Sequence, residues 1–385
     1  MELRPTKEQE AIRDLARRFA ATEVRQAVAA MERDKRFPQE LFARLKELGL
    51  TGIPVPQAWG GRGADFVSYT MAVHELSKES AALGVILSVH TSVATLPILR
   101  YGTDEQRERF VRPLAGGALL GAFALTEPWA GSDAGSIRTS AVRNGDEYVL
   151  NGTKTFITNA GAADLYVVFA VTDPSRGTRG ITAFVVGKDA EGFKIGPNEK
   201  KMGLHGSQTC CIVLDNVRLP AEQRLGEEGQ GFSIAMGSLD GGRIGIAAQS
   251  LGIAEAALGL MCEAALPKAD GSKARRAVPV GAPQAELAYW IEHVEAARLF
   301  VYRAAALRQE GKPCTKEASM VKLLASDTAV GAAGAAVRTL GGSTRPAGQT
   351  AARLFRDAKV TQIYEGTNEI HRIVISGQLM KKGGV

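Results

Sequence analysis

The spacing of apolar residues changes twice along this chain, and each change limits the fold that the chain can adopt. Over about residues 1–115 the apolar positions recur at helical spacing, as Ile12, Leu15, Ala16 and Phe19 do. Further helical patterns follow, separated by a glycine-rich loop with the sequence QAWGGRGAD. The spacing therefore predicts an N-terminal helical domain over residues 1–115.

Strand-like segments replace the helical pattern over about residues 116–225. Four short runs are rich in β-branched and aromatic residues: EYVLNG, LYVVFAV, GITAFVVG and TCCIVLDNV. Asn-Gly pairs at 144–145 and 151–152 are typical of turns that separate such strands. The stretches between the runs are too short for crossover helices, so the pattern favours a central antiparallel β sandwich or barrel over a parallel sheet.

The helical pattern returns over about residues 226–385. Three long segments are rich in alanine, glycine and other small residues, which allow helices to pack closely. They predict a C-terminal helical bundle. Together the three parts predict an α+β multidomain protein, with domains over residues 1–115, 116–225 and 226–385.

The composition and charge of the chain exclude several classes of protein. Of its 385 residues, 45% are hydrophobic and 23% are charged, which is typical of a soluble globular protein. The net charge of +6 is spread along the sequence, and the densest basic clusters are short and have few aromatic neighbours: Lys273, Arg275 and Arg276, then Lys381 and Lys382. This pattern argues against nucleic-acid binding, whereas a mildly basic chain suits a phosphorylated small ligand.

The cysteines and the N-terminus indicate a reducing compartment. Cysteines occur at positions 210, 211, 262 and 314, and none forms a CxxC pair, so neither a disulfide framework nor a zinc site is predicted. The N-terminal residues include acids and lack the apolar core of a signal peptide. The sequence thus predicts a cytoplasmic protein, with a mature mitochondrial-matrix protein left open.

The stretch 81–99 is a candidate for a membrane span, because it carries no formal charge. It contains His90, Pro97 and several hydroxyl residues, however, which favour a buried helix. We therefore predict no membrane span.

Common catalytic and nucleotide-binding motifs are absent, including GxGxxG after a strand, GxxxxGK[ST], HExxH and GxSxG. Two stretches rich in Gly, Ser and Thr, at 123–141 and 151–161, would present backbone N–H groups and hydroxyls to a flat ring and a phosphate. A simple β-turn is the alternative for the first stretch. In the second, Phe156 and Thr158 share one face of a strand, and a core position is the alternative for Phe156.

Near the C-terminus, the sequence KVTQIYEGTNEIHRIV places an acid, Glu365, between an aromatic residue and a glycine. A solvated surface acid is the common interpretation of a glutamate, and a catalytic base is the alternative. Burial beside Tyr364 would raise the pKa of Glu365 toward the working range of a base. The local sequence leaves both interpretations open.

Five motifs stand in the order and at the spacing found in the acyl-CoA dehydrogenase family: TEPWAGSDAGS, NGTKTFITNAGAADLYVVFA, KMGLHGSQTCCIVLDNVRLP, LDGGRIGIAAQSLGIA and QIYEGTNEIHRIVI. The chain resembles this family over nearly its whole length, and it is most similar to the short-chain, butyryl-type members. The resemblance implies a helical N-domain, a central β domain, a C-terminal four-helix bundle and a homotetramer arranged as a dimer of dimers. It also implies FAD, an acyl-CoA substrate and an electron-transferring flavoprotein as acceptor.

The resemblance identifies Glu365 as the base that removes the α-proton of the thioester. Its backbone N–H and a ribityl hydroxyl of FAD would stabilise the thioester oxygen. Some members carry the base at the position of Gly242, which has no side chain to serve. No arginine lies near Val85, where glutaryl-type members hold a distal carboxylate, so a dicarboxylyl substrate is disfavoured.

The resemblance also implies contacts with the cofactor and the substrate. The implied FAD-binding residues are Thr126, Ser132, Phe156, Thr158, Arg275, Arg276, Arg338, Gly341, Gly342, Thr367 and Glu369. The implied residues of the substrate site are Ser132, Asp240, Arg243, Tyr364 and Gly366.

Two stretches depart from the family pattern. Residues 266–286 lack the R-x-Q-F-G-x-P-like run that contacts the FAD diphosphate of a neighbouring subunit, with Arg275 or Arg276 as substitutes. Arg338 replaces the glutamine of Q-x-x-G-G-x-G-Y, and GGSTRPAGQTAA replaces its aromatic continuation. Both real divergence and a local sequence error stay open. Two other functions also stay open: a catalytically silent acyl-CoA-binding homologue and an acyl-CoA oxidase on the same fold.

Overall fold

The computed structural model describes residues 4–265, 282–341 and 345–381. Its N-terminal part is helical, as the apolar spacing predicts. The helices are α1 (Lys7–Phe19), α2 (Arg25–Asp34), α3 (Gln39–Glu47), α4 (Phe66–Glu79), α5 (Ala81–Val89), α6 (Leu96–Tyr101), α7 (Asp104–Gln106) and α8 (Arg112–Ala115).

Helix α1 shows how the sequence sets a helix in this part. The Thr6 hydroxyl accepts a hydrogen bond from the Gln9 backbone N–H, and the Gln9 side chain accepts one from the Thr6 backbone. The buried face then carries Ile12, Ala16 and Phe19, which are three of the apolar residues in the predicted pattern. The N-terminal helix is thus begun by a capping box and held by one apolar stripe.

The apolar stretch at 81–99 lies in a continuous helical segment, in which a wider turn at His90–Thr95 joins α5 to α6. Three described helical segments are long and apolar enough to cross a membrane by length and composition: Ala81–Tyr101, Gly231–Ala265 and Thr315–Leu340. In the first, 89% of the most apolar window is buried inside the protein. Packing within the fold therefore accounts for the apolar character of this segment.

His90 in that segment connects the helices to the β domain. Its Nε2 lies 3.1 Å from the Leu114 carbonyl, and its Nδ1 accepts a hydrogen bond from the Gly121 backbone N–H. Burial lowers the pKa of His90 to about 4, so the ring is neutral with its proton on Nε2. The polar residue that argued against a membrane span is thus satisfied by two backbone groups.

The central part forms one sheet of eight strands: β1 (Gly121–Ala124), β2 (Ser140–Asn144), β3 (Glu147–Thr158), β4 (Leu165–Val171), β5 (Ile181–Gly187), β6 (Phe193–Asn198), β7 (Thr209–Pro220) and β8 (Arg224–Leu225). The strand order is β6-β7-β3-β2-β4-β5-β8, and β1 pairs with β4. Most neighbours are antiparallel, as predicted, but β4 pairs in parallel with both β1 and β2.

The two Asn-Gly pairs behave differently in this sheet. Asn144 ends β2 and pairs with Glu147 across a tight turn in which Gly145 has a φ of 63°. The prediction of a turn at 151–152 is wrong, because Gly152 lies inside β3 at a register shift against β7. A Cβ at Gly152 would lie 2.4 Å from the Thr139 hydroxyl, so close approach explains this glycine.

The C-terminal part contains α9 (Gly231–Ala265), α10 (Ala282–Gln309), α11 (Thr315–Leu340), α12 (Pro346–Lys359) and α13 (Asn368–Lys381). Helix α9 packs along α11 and also against α4 and α5 of the N-terminal part. Its small residues permit this, as a Cβ at Gly252 would lie 2.6 Å from the His74 carbonyl oxygen and 2.7 Å from the Ser77 Cβ. The bundle and the N-terminal helices therefore share one packed core.

We expect Gly252→Ala to destabilise the protein by about 1–3 kcal/mol, because the new methyl group meets the backbone of α4. Gly259→Ala on the same helix is the matched control, since a Cβ there has no neighbour within 4 Å. Alanine is the better helix former, so the control should unfold at the parent temperature or slightly higher. Thermal unfolding of the two variants checks this, and equal melting temperatures would refute the close contact.

Candidate active site

Glu365 occupies a tight turn between α12 and α13. Its φ is 55°, and that of Gly366 is 93°, so two consecutive residues have left-handed backbones. A non-glycine residue in this region is strained by about 1–3 kcal/mol and persists only where its surroundings hold it. Such strain is common at functional sites, and here it falls on the acid that the sequence singled out.

Four buried side chains that surround this turn were not predicted from the sequence: Gln249, Lys322, Asn368 and His371. The Tyr364 hydroxyl donates a hydrogen bond to Gln249 of α9. Lys322 of α11 donates to the Gly366 carbonyl and to Asn368. The His371 ring packs on Gly366, where an added Cβ would lie 3.2 Å from it. Helical spacing within each segment carries no signal for contacts between α9, α11 and α13, so no local pattern could have found them.

Gly242 of α9 faces the carboxylate of Glu365. A Cβ at Gly242 would lie 2.6 Å from Oε2 and 2.7 Å from Oε1 of Glu365. Only glycine leaves space for the acid in this position. The contact also shows that positions 242 and 365, the two locations for a base that the resemblance implies, lie on facing elements.

The environment of Glu365 favours its neutral form. Burial raises the pKa of Glu365 to about 7, against the opposing charges of Arg243 and Lys322. Its Oε2 is buried and has no hydrogen-bond partner among the described residues. The backbone N–H of Glu365 likewise donates to no backbone carbonyl in the loops and turns of the described residues. A fully solvated surface acid does not fit these observations, whereas a carboxylate with a role in binding or catalysis does.

Asp240 and Arg243 form a buried pair one turn apart on α9. The Nη1 of Arg243 lies 3.1 Å from the Asp240 carboxylate, which also accepts a 2.6 Å hydrogen bond from the Thr315 hydroxyl. The Nε of Arg243 is buried without a partner in the described part of the chain. A donor left free in this way beside Glu365 suits a polar group of a ligand.

A second group of predicted residues lies on the β domain. The Thr155 backbone N–H donates to the Thr126 carbonyl, which sets the loop after β1 beside β3. Phe156 is 65% exposed and has a φ of 56° at a bulge in β3, so the core alternative for it is wrong. The hydroxyls of Thr126 and Thr158 make no hydrogen bond within the described residues, and both side chains are half-buried.

A fully buried ion pair fixes these two segments to each other. Lys154 of β3 contacts Glu127 of the loop at 2.8 Å, and Nζ also donates to the Leu125 carbonyl. Burial alone would raise the pKa of Glu127, but Lys154 and the backbone N–H groups of Arg138 and Thr139 hold it below its usual range. The pair is satisfied and has no free site for a ligand.

Helix α5 contacts both the end of β3, near Phe156 and Thr158, and the face of α9 that carries Gly242. The Asn159 side chain, just after β3, donates to the Ile86 carbonyl of α5. Two residues further along α5, the Ser88 hydroxyl accepts a hydrogen bond from Tyr69 and would lie 2.3 Å from a Cβ at Gly245 of α9. The end of β3, helix α5 and the Gly242 face of α9 therefore surround one region.

Other predicted residues do not join this region. Ser132 and Glu369 are exposed, and Arg338 at the end of α11 forms an ion pair with Glu286. Thr367 accepts a hydrogen bond from the Ile370 N–H at the start of α13, and Gly341 ends α11. Arg275, Arg276 and Gly342 lie outside the described residues.

The residues that are present fit a flavin. An exposed aromatic ring with two unbonded threonine hydroxyls beside it offers a flat face and polar contacts for a flat heterocycle. The satisfied Glu127–Lys154 pair keeps these groups in place without competing for the ligand. Phe156, Thr126 and Thr158 therefore offer a surface that suits a flavin ring.

Sequence models of the acyl-CoA dehydrogenase family match most of the chain. The N-terminal domain of the family matches residues 6–118, its middle domain residues 122–217 and its C-terminal domain residues 229–380. An acyl-CoA dehydrogenase of Bacillus subtilis (strain 168) is 51% identical over 378 residues, which are 97% of this chain and 98% of that protein.

Solved structures agree with these matches. Butyryl-CoA dehydrogenase from Megasphaera elsdenii superposes with a TM-score of 0.94 at 44% identity, covering 99% of this chain and 100% of that chain. A chain in the structure described as the electron transferring flavoprotein of Acidaminococcus fermentans superposes with a TM-score of 0.95 at 43% identity, covering 99% and 100%.

The three-part fold and these matches together identify the class of protein, which is an oxidoreductase. The chain belongs to the acyl-CoA dehydrogenase family, whose members are flavoproteins, and it is an acyl-CoA dehydrogenase. The predicted family and the predicted fold class are both confirmed.

The pKa of Glu365 predicts how stability depends on pH. The pKa of Glu365 in the folded protein, about 7, exceeds the ordinary value of 4.5. The contribution of this group to the free energy of unfolding is therefore complete below pH 4.5 and is lost as the pH rises through 7. Glu365→Gln removes this pH-dependent loss of stability. The variant should be more stable than the parent by about 1–3 kcal/mol above pH 7 and nearly equal to it at low pH. Unfolding curves across this pH range measure the difference, and an equal gain at all pH values would contradict the raised pKa.

A side chain at position 242 should displace the carboxylate. We expect Gly242→Ala to lower acyl-CoA dehydrogenase activity by about 10- to 100-fold, because small misplacements of a reacting group have effects of this size. Gly241→Ala is the control, since the nearest atom to a Cβ there is 3.7 Å away. Steady-state assays of both variants test the contact, and equal activities would show that Glu365 does not need this space.

Proposed function

We propose that this protein is an FAD-dependent dehydrogenase that converts a short-chain acyl-CoA to the trans-2-enoyl-CoA. It then passes the electrons to an electron-transferring flavoprotein. The observation that carries the proposal is the carboxylate of Glu365 opposite Gly242, whose Oε2 is buried without a partner among the described residues. A carboxylate without a partner is costly in the folded protein, and a proton-abstracting role explains why it is kept.

Glu365 acts as the base. Forming the α,β double bond requires removal of a proton from Cα and a hydride from Cβ of the acyl group. The carboxylate takes the proton, and its pKa of about 7 matches this task near neutral pH. FAD, when bound, accepts the hydride. The N–H of Glu365 is free to donate to the thioester oxygen as negative charge develops there.

The residues around Glu365 bind and orient the thioester. Gly366 allows the close approach of the substrate to the turn, and Tyr364 is fixed by its hydrogen bond to Gln249. Arg243, with its buried free Nε, donates to a polar group of the substrate, while Asp240 orients its guanidinium. Ser132 lies on the exposed loop after β1, which suits a contact with the pantetheine or diphosphate.

The FAD site combines groups from two parts of the chain. Thr126, Phe156 and Thr158 hold the flavin ring, which their exposure and free hydroxyls support. The remaining cofactor residues are proposed from the family resemblance, with the diphosphate and adenosine as their targets: Ser132, Arg275, Arg276, Arg338, Gly341, Gly342, Thr367 and Glu369. Several of these would act on the FAD of a neighbouring subunit in a homotetramer that is a dimer of dimers.

The similar proteins support the finer parts of the proposal. Butyryl-CoA dehydrogenase is similar to this chain along its whole length, which supports a short acyl chain. Similarity to a chain of the A. fermentans electron transferring flavoprotein structure supports a flavoprotein as electron acceptor. Relatives include bacterial and mitochondrial proteins, so we propose a cytoplasmic enzyme of bacterial type and keep the mitochondrial matrix as the alternative.

Anaerobic titration of the purified flavoprotein with acyl-CoAs of increasing chain length tests this function. We expect butyryl-CoA to bleach the flavin faster than octanoyl- or glutaryl-CoA. Glu365→Gln should keep its FAD and fold but slow the bleaching by about 10²–10⁴-fold, because the base is lost. An unchanged rate in this variant would sink the assignment of Glu365.

Other outcomes separate the alternatives. A colourless protein that binds acyl-CoA would indicate a silent homologue. Peroxide formation in air with no added acceptor would indicate an oxidase. Reduction by acyl-CoA followed by reoxidation only with an electron-transferring flavoprotein would support the proposal in full.

A further inference from the structure

A buried lysine lies beneath the turn that carries Glu365. Lys322 of α11 is 0% exposed, and its Nζ donates to the Gly366 carbonyl at 2.7 Å and to the Asn368 side-chain oxygen at 3.1 Å. Gly366 directly follows Glu365, and Asn368 is three residues after it. Burying an amine is unfavourable unless it is bonded, so these two contacts are the reason that Lys322 is tolerated there.

Helix α11 contacts this turn through more than the lysine. Ser326 exchanges hydrogen bonds with the side chain of Asn368, and Asp327 accepts a 2.8 Å hydrogen bond from the Asn368 amide. Lys322 and Ser326 are one helical turn apart, so they meet the turn from the same side of α11. On the other side of Gly366 lies the ring of His371.

The turn needs such support because its backbone is strained. Glu365 has a φ of 55° and Gly366 a φ of 93°, and Glu365 must also keep its carboxylate against Gly242. The Gly366 carbonyl accepts a hydrogen bond from the Lys322 side chain, which connects this part of the turn to α11. Removing that bond would free the peptide next to the base to rotate.

We propose that Lys322 is a positioning residue, which holds the peptide after Glu365 so that the carboxylate and the backbone N–H of Glu365 face the substrate. This inference rests on the proposed role of Glu365 as the base. Lys322 itself does not touch the reacting atoms.

The two hydrogen bonds do not require a charged lysine. A neutral amine still has two N–H groups, one for each acceptor. Burial lowers the pKa of Lys322 to about 7, while the charge of Glu365 opposes this. The charged groups that act on Lys322 are Glu365, Arg243, Asp327 and Glu369. When protonated, Lys322 also favours the carboxylate form of Glu365.

Lys322→Met in the FAD-loaded protein tests the proposal, because methionine keeps the length of the side chain and removes its donors. We expect flavin reduction by butyryl-CoA to slow by about 10- to 100-fold with little change in FAD content. The acidic limb of the pH–rate profile should move to higher pH, since loss of a cation disfavours the carboxylate. Backbone amides of residues 363–368 should exchange with deuterium faster than in the parent.

Lys201→Met is the matched control. Lys201 is half-buried, and like Lys322 it donates to a backbone carbonyl, that of Ser207, but it belongs to the β domain. This variant should keep the parent reduction rate, pH profile and exchange at 363–368. If Lys322→Met does not fold, Asn368→Ala takes its place, and it should increase exchange at the turn by removing one of the two acceptors.

Parent-like rate, pH profile and exchange in Lys322→Met would overturn the proposal. A slower rate with unchanged pH profile and exchange would also overturn it, since that pattern indicates a general loss of packing. If Asn368→Ala is the variant tested, unchanged amide exchange at residues 363–368 would also overturn the proposal. If the parent is not reduced by any acyl-CoA, the proposed function fails, and the exchange measurement still decides whether Lys322 holds the turn.

Discussion

The close approach of Glu365 to one face of α9 is the constraint on which the site depends. Gly242, Gly245, Gln249 and Gly252 recur at helical spacing on that face. Gly242 makes space for the carboxylate, and Gly245 makes space for Ser88 and Tyr69. Gln249 bonds both the Ala81 carbonyl of α5 and the Tyr364 hydroxyl. One helix thus sets the distance between the turn that carries Glu365 and the N-terminal helices.

Two glutamates, Glu127 and Glu365, show how hydrogen-bond partners set the pKa of a carboxylate inside the protein. Glu127 is bonded to Lys154 and to two backbone N–H groups, which hold its pKa below the usual range despite burial. Burial raises the pKa of Glu365 to about 7, and its Oε2 has no partner among the described residues. The first acid connects two segments of the β domain. The second is available for chemistry because the fold leaves it unsatisfied.

Two of the residues singled out from the sequence have a strained backbone. Phe156 and Glu365 both have positive φ angles, at a bulge of β3 and at the turn before α13. Each lies next to a lysine that is fully buried, Lys154 and Lys322 respectively. A buried amine can bond several acceptors at once, so it can fix irregular backbone where no ladder or helix bonds are available. A buried lysine therefore lies close to each of the two groups that are proposed to face the substrate and the flavin.

The sequence by itself determined the three-part fold, since the change from helical to alternating spacing is local and each segment carries its own pattern. It also singled out Glu365, Gly242 and the two Gly-, Ser- and Thr-rich stretches, because motifs and their order can be read from the sequence alone. Only the tertiary structure decided the parallel pairing of β4 with β1 and β2, the place of Gly152 inside a strand, and the exposure of Phe156. Lys322, Gln249 and His371 were found in the same way, because their partners lie on other elements. Contacts between distant segments depend on packing, and no local spacing records which helix faces will meet.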